Sequence, residues 1–285
     1  MTDQQATMGE RGRAITPMTP SGKVLIDGVE YNARFKSGFK SIQYGVVCIT
    51  GNYRENNEDN YLVDPDGRFF LVADGMGGMS AGEKASEMGV QIVSQKLNEL
   101  IDFNRSPPEQ VTSGIDQAVH HANAEILMTG QLNPDFHKMG TTIVLVVVVG
   151  HTAYITGVGD SRVYSMHGST FEQLTKDHSM AQSLLDSGTI SREEAATHSY
   201  RNVLFRYLGG KEERGTETET RQCSLDSGDR FILCSDGVTD GVDDNTLATL
   251  LHDNDAPQQA AQAIVDAAQS GGSKDNITCI VLHVT

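Results

Sequence analysis

Phe69-Phe-Leu-Val-Ala-Asp-Gly-Met-Gly-Gly78 sets a strand-like apolar run, Phe69–Ala73, directly against Asp74 and a glycine-rich turn. The juncture recurs. Ala153–Val158 runs into Gly159-Asp160-Ser-Arg162, and Arg230–Cys234 runs into Ser235-Asp236-Gly237. Asp275-Asn276 reverses the order and immediately precedes the run Ile277–Val284. One Asp-Gly after a strand is an ordinary turn signal. Several, each where a strand meets a loop, put carboxylates at the ends of rigid elements, where functional groups are held.

Outward from these runs, Ile143–Val149 is the longest unbroken apolar stretch and reads as a buried strand, far too short to span a bilayer. Two helices are signed between the strands. Ser80-Ala-Gly-Glu83 is a capping-box pattern followed by Ala85, Met88, Ile92, Leu97, Leu100 and Ile101 at helical spacing. Ser106-Pro-Pro-Glu109 repeats the pattern, with Pro at the first helical position and a stripe of Val111, Ile115, Ala118, Val119, Ala122 and Ile126. His120 and His121 are adjacent on that helix, share no face, and are expected on its solvent side. The strands precede, separate and follow the helices without regular alternation. That order predicts an α+β fold, with sheets packed together and helices outside.

Residues 1–20 are polar and aperiodic, and residues 1–41 read as an N-terminal arm. Within it, two short alternating runs around Asp27-Gly28 signal a β-hairpin. A second domain is expected over 42–285, with a polar helix-and-loop flap over about 176–210 that carries a capping box at Ser191–Glu194. The Ala/Gln-rich segment 256–270 should be a surface helix. Cys48, Cys223, Cys234 and Cys279 form no C-x-x-C pair and read as reduced core thiols.

The chain has 285 residues and a formal net charge of −16, from 22 Lys+Arg and 38 Asp+Glu. The first 40 residues hold six basic and four acidic side chains, so the remainder carries the entire surplus. Such acidity argues against nucleic acid or an anionic membrane as the partner. No apolar core of signal-peptide length follows Met1, so a soluble, cytoplasmic protein is expected, and it is read as a monomer.

The remaining signal is Arg54-Glu-Asn-Asn-Glu58-Asp59, a guanidinium four residues before a carboxylate pair. Carboxylates gathered without thiolates or a histidine set favour Mg²⁺ or Mn²⁺, which take oxygen ligands. Two such ions would activate a water for attack on phosphorus, and an arginine beside them suits phosphate oxygens. The chemistry implied is metal-assisted phosphoester hydrolysis.

In order, RENNEDN, the apolar run into DGMGG, MGTT at 139–142, GDSRVY at 159–164, LTKDHS at 174–179, NVLFRYLGG at 202–210, SDGVTD at 235–240 and KDNIT at 274–278 resemble the metal-dependent protein phosphatases of the protein phosphatase 2C type, in bacterial form. The resemblance covers about residues 42–285. It implies a four-layer α-β-β-α sandwich around a central antiparallel β-sandwich, with a metal centre at one end. It also implies hydrolysis of phosphoserine and phosphothreonine on proteins, in opposition to protein kinases. By the same resemblance, Asp74 bridges two Mn²⁺ or Mg²⁺ ions and the Gly75 carbonyl completes one site. Asp236 and Asp275 hold the first ion and Glu58 with Asp59 the second. Asp160, with Asp236, supports a third, Arg54 binds phosphate, and Asn276 orients its neighbour.

Animal members carry a histidine after the Asp-Gly, whereas this chain, like bacterial ones, has Met76. The leaving-group proton would then come from water, or from His178 or His198 near the flap. A non-catalytic relative, or a regulator devoted to one protein in a partner-switching pathway, is the alternative function. Degenerate members lose metal carboxylates; here Glu58, Asp59, Asp74, Asp236 and Asp275 are all present.

Overall fold

In the computed structural model, the structure describes residues 41–77, 81–210 and 218–285 in full, and the backbone of three strands before them. The chain divides into two compact units, 1–41 and 42–285. In the first, β1 (Arg13–Ala14), β2 (Ser21–Ile26) and β3 (Val29–Arg34) form an antiparallel sheet in that order. β2 and β3 pair from Ser21↔Arg34 to Ile26↔Val29, and the Asp27-Gly28 turn lies outside the described residues.

The second unit begins with β4 (Ile42–Ile49), β5 (Asp59–Val63) and β6 (Phe69–Met76). Helices α1 (Ala81–Leu100) and α2 (Pro108–Leu132) follow, then β7 (Gly140–Thr141), β8 (Ile143–Val149), β9 (Thr152–Val158), β10 (Arg162–His167) and β11 (Thr170–Gln173). The flap contributes α3 (Met180–Asp186) and α4 (Arg192–Ala196). After β12 (Arg221–Ser224) and β13 (Arg230–Cys234) come α5 (Asp236–Thr239), α6 (Asp244–Asp253), α7 (Pro257–Ser270) and β14 (Ile277–Val284).

Two antiparallel sheets result, ordered β11-β10-β13-β14-β4 and β12-β9-β8-β6-β5, with β7 also paired to β6. Side chains alternate along a strand, and here both faces are buried. Phe69, Leu71 and Ala73 join Ile143, Leu145 and Val147 under α1 and α2. Their neighbours Phe70, Val72, Val144 and Val146 face Leu233, Ile280 and Leu282 of the other sheet. The outer face of that sheet, with Ile232, Cys234, Cys279 and Val281, is covered by Leu247, Leu251, Ile264 and Val265 of α6 and α7. Helix, sheet, sheet, helix is the α+β four-layer sandwich expected above. Burial on both faces explains why these strands read as unbroken apolar runs rather than alternating ones.

Several local expectations are corrected. The strand from Phe69 does not stop at Ala73: Asp74 and Gly75 lie inside β6, held by pairing to Asp59 and to Thr141. The Ser106 capping box does not form. Pro107 is the N-cap and Pro108 the first helical residue, while the Ser106 hydroxyl accepts the Asp102 amide (3.0 Å). Ser80 lies outside the described residues. Ser191 and Glu194 do form the reciprocal box, at 3.2 and 2.8 Å. His120 and His121 are exposed. All four cysteines are free thiols; Cys234 and Cys279, opposite one another in register, are buried, and Cys48 and Cys223 are half-buried.

The flap is fastened at its root. Arg162 opens β10, and its guanidinium grips Asp177 through Nε (2.9 Å) and Nη2 (2.7 Å) and the Tyr164 hydroxyl through Nη1 (2.9 Å). Gly159 and His178 close a second link: the Gly159 amide donates to His178 Nδ1 (3.1 Å), and the His178 amide donates to the Gly159 carbonyl (2.8 Å). At the far end, Leu208 is buried and pairs with Thr141. Asp177→Ala should destabilise the unit by about 3 kcal/mol in urea titration. This is the lower end of the range for orphaning one member of a buried pair, because 26% of the Arg162 side chain still reaches water.

Candidate active site

The carboxylates singled out by sequence come from both sheets and meet at one end of the sandwich. Asp59 and Asp74 are direct partners across the β5–β6 ladder. Asp236 and Asp275 flank β13 and β14 of the opposing sheet, and Asp160 closes the turn between β9 and β10. Each is pinned by backbone or hydroxyl groups. The Asp74 amide donates to Thr142 Oγ1 (2.9 Å), and the Asp74 carbonyl accepts both the Thr142 amide (2.8 Å) and the Thr141 hydroxyl (2.9 Å). Ser235 donates to Asp59 Oδ2 at 2.7 Å.

Close backbone approach does the rest. A Cβ on Gly75 would fall 2.1 Å from the Gly82 carbonyl oxygen, so only glycine lets β6 touch the start of α1. A Cβ on Gly82 would meet Glu58 Oε1 at 2.5 Å and the Gly75 oxygen at 2.9 Å. Those two oxygens therefore converge on one cradle that an L side chain would fill. The Glu58 amide donates to Asn276 Oδ1 (2.9 Å), and Asn276 Nδ2 donates to the carbonyls of Thr50 and Asn56 (2.9 Å each). Asn276 thus fastens the RENNED loop, and its own amide holds Asp275 Oδ1 at 2.8 Å.

This density of negative charge shifts the acids upward. Burial, reinforced by Asp59, Asp236, Asp160 and Asp275, holds Asp74 well above the usual carboxylate range. Asp236 is raised in the same way, by burial and then Asp160 and Asp275. Burial pushes Asp160 up to about 7, with Asp177 adding to the effect, and Asp59 up to about 6 against the Ser235 hydroxyl that favours its ionised form. Glu58 is raised by burial, opposed by Arg54. Arg54 is placed as expected, beside the acids, with Nη2 on Asp275 Oδ2 at 2.6 Å.

Hard divalent cations fit this set. The donors are all oxygens, and Asp59 Oδ1 and Asp236 Oδ1 are buried with no hydrogen-bond partner among the described residues. Unpaired buried carboxylate oxygens are costly unless a cation takes them. A different cluster, His167, Asp226 and Asp229, brings three ligand atoms within 4.8 Å of one another. Its His167–Asp229 contact (2.6 Å) and the Asp226 amide on Asp229 Oδ2 (2.6 Å) close it as a turn, and it shares no residue with the set above.

Sequence reading missed the flap's part. Asn202 Nδ2 reaches Asp236 Oδ2 at 3.4 Å, and Arg201 pairs with Asp240 at 3.0 Å. Asn202 opens the motif at 202–210 and Arg201 immediately precedes it, yet nothing local distinguishes them from loop residues. His178 is corrected as a proton source: burial, with Arg206 and Lys176 nearby, lowers it to about 4, so it is neutral and serves as acceptor for Gly159. His198 is spent within the flap, its Nδ1 accepting the Tyr200 amide at 3.1 Å.

A four-layer α-β-β-α sandwich with oxygen-rich acids at one end of its two sheets defines a metal-dependent phosphohydrolase architecture. Residues 52–269 match the sequence model of the protein phosphatase 2C family, and the chain belongs to that family. It is 34% identical over 236 residues to the serine/threonine phosphatase stp of Listeria welshimeri, covering 82% of this chain and 92% of that protein. It is 36% identical to the serine/threonine protein phosphatase PstP of Mycobacterium tuberculosis over 245 residues, 85% of this chain and 45% of that longer protein. A crystal structure of the catalytic domain of PstP in complex with two manganese ions superposes with a TM-score of 0.74 at 33% identity, covering 86% of this chain and 98% of that one.

The raised acids give the stripped protein a signed pH dependence. Where folded values exceed the unfolded 3.8, the folded state binds more protons, so stability falls as pH rises through about 4 to 7. Half-buried His178 and buried His283, lowered on folding, oppose this only below about 6.5. In excess chelator the melting temperature should therefore fall from pH 6.5 to 8, and saturating Mn²⁺ should remove the slope. Asp74→Asn should raise the melting temperature of the stripped protein at pH 8, on the order of 5 °C, by relieving repulsion.

Proposed function

We propose that this chain is a serine/threonine protein phosphatase that hydrolyses phosphoserine and phosphothreonine on proteins with Mn²⁺ or Mg²⁺. One observation carries the reading: buried and half-buried carboxylates from both sheets repel one another, and two of their oxygens are buried with no hydrogen-bond partner among the described residues. Asp74, Asp236, Asp275, Glu58, Asp59 and the Gly75 carbonyl would hold two such ions, and Asp160 would serve a third. Bound there, the ions supply a positive field and an acidified water for attack on phosphorus.

The chain's own groups do the remaining work. Thr142 holds the Asp74 backbone, and Ser235 and Asn202 hold the Asp59 and Asp236 carboxylates, so little reorganisation is needed as charge develops. Arg54, 47% exposed in its side chain, presents its guanidinium at the rim, where a phosphate dianion can compete with Asp275 for it. Water's oxygen bonds to phosphorus as the ester P–O bond breaks, releasing phosphate and a free hydroxyl. Met76 has no proton to give, and the half-buried His178 is lowered to about 4 and accepts the Gly159 amide. The leaving oxygen therefore takes its proton from water. Retention of every family carboxylate supports catalysis over a binding-only role, and the absence of a long apolar helix among the described residues is consistent with a cytoplasmic enzyme.

The test is hydrolysis of a phosphothreonine peptide and of p-nitrophenyl phosphate. Activity should require Mn²⁺ or Mg²⁺ and vanish in excess chelator; persistence there would reject the metal mechanism. Asp236→Asn should cost more than the roughly 10–100-fold of losing an outer-shell partner. Arg54→Ala should raise KM about tenfold or more with a smaller change in kcat, because hydrogen bonds to charged groups are worth about 1.5–3 kcal/mol.

A further inference from the structure

Ser235 follows the last residue of β13 and immediately precedes Asp236, and it is completely buried. Its backbone amide donates to the Thr278 carbonyl at 3.1 Å, as a strand residue would. The return bond is different: the Thr278 amide donates to the Ser235 hydroxyl oxygen at 3.1 Å. The side chain stands in for the backbone carbonyl of a continuing ladder, which leaves the chain free to turn at Ser235 and enter α5 with Asp236 as its first residue.

That geometry fixes the hydroxyl proton. An amide nitrogen can only donate, so the Ser235 oxygen is the acceptor for Thr278 and its single hydrogen is free for Asp59 Oδ2, 2.7 Å away. The bond joins residues 176 apart in sequence and crosses from one sheet to the other. It occupies Oδ2, with the Thr278 side chain as a further hydrogen-bond partner of the carboxylate, and leaves Oδ1 as the buried oxygen without a partner among the described residues. Asp236, the next residue, shows the same division: Oδ2 takes Asn202 at 3.4 Å and Oδ1 has no partner among the described residues.

We propose that Ser235 is a positioning residue for the metal centre, fixing the rotamer of Asp59 through its hydroxyl so that one carboxylate oxygen is left for a cation. The proposal rests on the reading of Asp59 as part of the metal-holding set. Because the turn that presents Asp236 begins at the same residue, Ser235 ties acids of the two sheets into one unit.

Mn²⁺ binding to the full chain, measured by titration calorimetry, tests this without reference to turnover. Ser235→Ala should weaken Mn²⁺ affinity by about 10–100-fold, the usual cost of losing a partner that orients a ligand. Ser235→Thr, which keeps the hydroxyl, should restore near-normal affinity. In an Asp59→Ala background, Ser235→Ala should add no further weakening, because the carboxylate through which it acts is gone. Ser235→Ala that binds Mn²⁺ like the wild type while melting at lower temperature would overturn the proposal and leave Ser235 a strand-end residue. Additive weakening in the double variant would overturn it too. Unchanged Mn²⁺ binding in Asp59→Ala itself would reject the site assignment beneath the proposal, a result distinct from unchanged binding in Ser235→Ala alone.

Discussion

Repulsion among buried carboxylates is the constraint around which this protein is built. Two unit charges 4 Å apart at an effective dielectric near 20 repel by about 4 kcal/mol, and whole domains are stable by only about 5–15 kcal/mol. Asp59, Asp74, Asp160, Asp236 and Asp275 act on one another, and Arg54 is the cation paired directly to the cluster. A loose scaffold would let these groups turn to water and shed the repulsion. Here they are held by paired strands and by three apolar layers that cannot part independently.

The pins are small and mostly uncharged. Hydroxyls of Thr141, Thr142, Ser86 and Ser235 and the amide of Asn276 satisfy backbone or carboxylate groups at the end of the sandwich. Glycines provide the other half of the construction. Gly75, Gly82 and Gly237 each lie where a Cβ would collide with a neighbouring carbonyl or carboxylate oxygen, so backbones close to distances that expose their oxygens to a common space. Closeness creates the electrostatic problem and, with a divalent cation present, its solution.

The flap is part of the same mechanical unit. Arg162–Asp177 and the double link between Gly159 and His178 bind its root to the turn that carries Asp160, and Asn202 reaches Asp236 from its far side. A segment that reads from sequence as a polar insertion thus touches acids from both ends.

Much of this was legible in the chain. Ile143–Val149, Arg230–Cys234 and Ile277–Val284 are strands with the boundaries their apolar runs predict, because burial on both faces leaves an unbroken signal. The ordered Asp motifs singled out carboxylates that the fold gathers at one end of the sandwich, since residue type is a local property. The edge strands β4, β5, β11 and β12 went unread, being half-exposed and mixed in polarity so that period and composition are both diluted, as did the short β7 and the interior β10. Ser106 was misread because its hydroxyl had a competing local acceptor role at Asp102. The sequence alone determined which oxygen-bearing groups are present to take a cation. Only the tertiary structure decided that Asp59 would be oriented by Ser235 and Arg54 engaged by Asp275, 176 and 221 residues away. Those pairings depend on how two sheets stack and where their ends coincide, a distance that no local pattern of residues encodes.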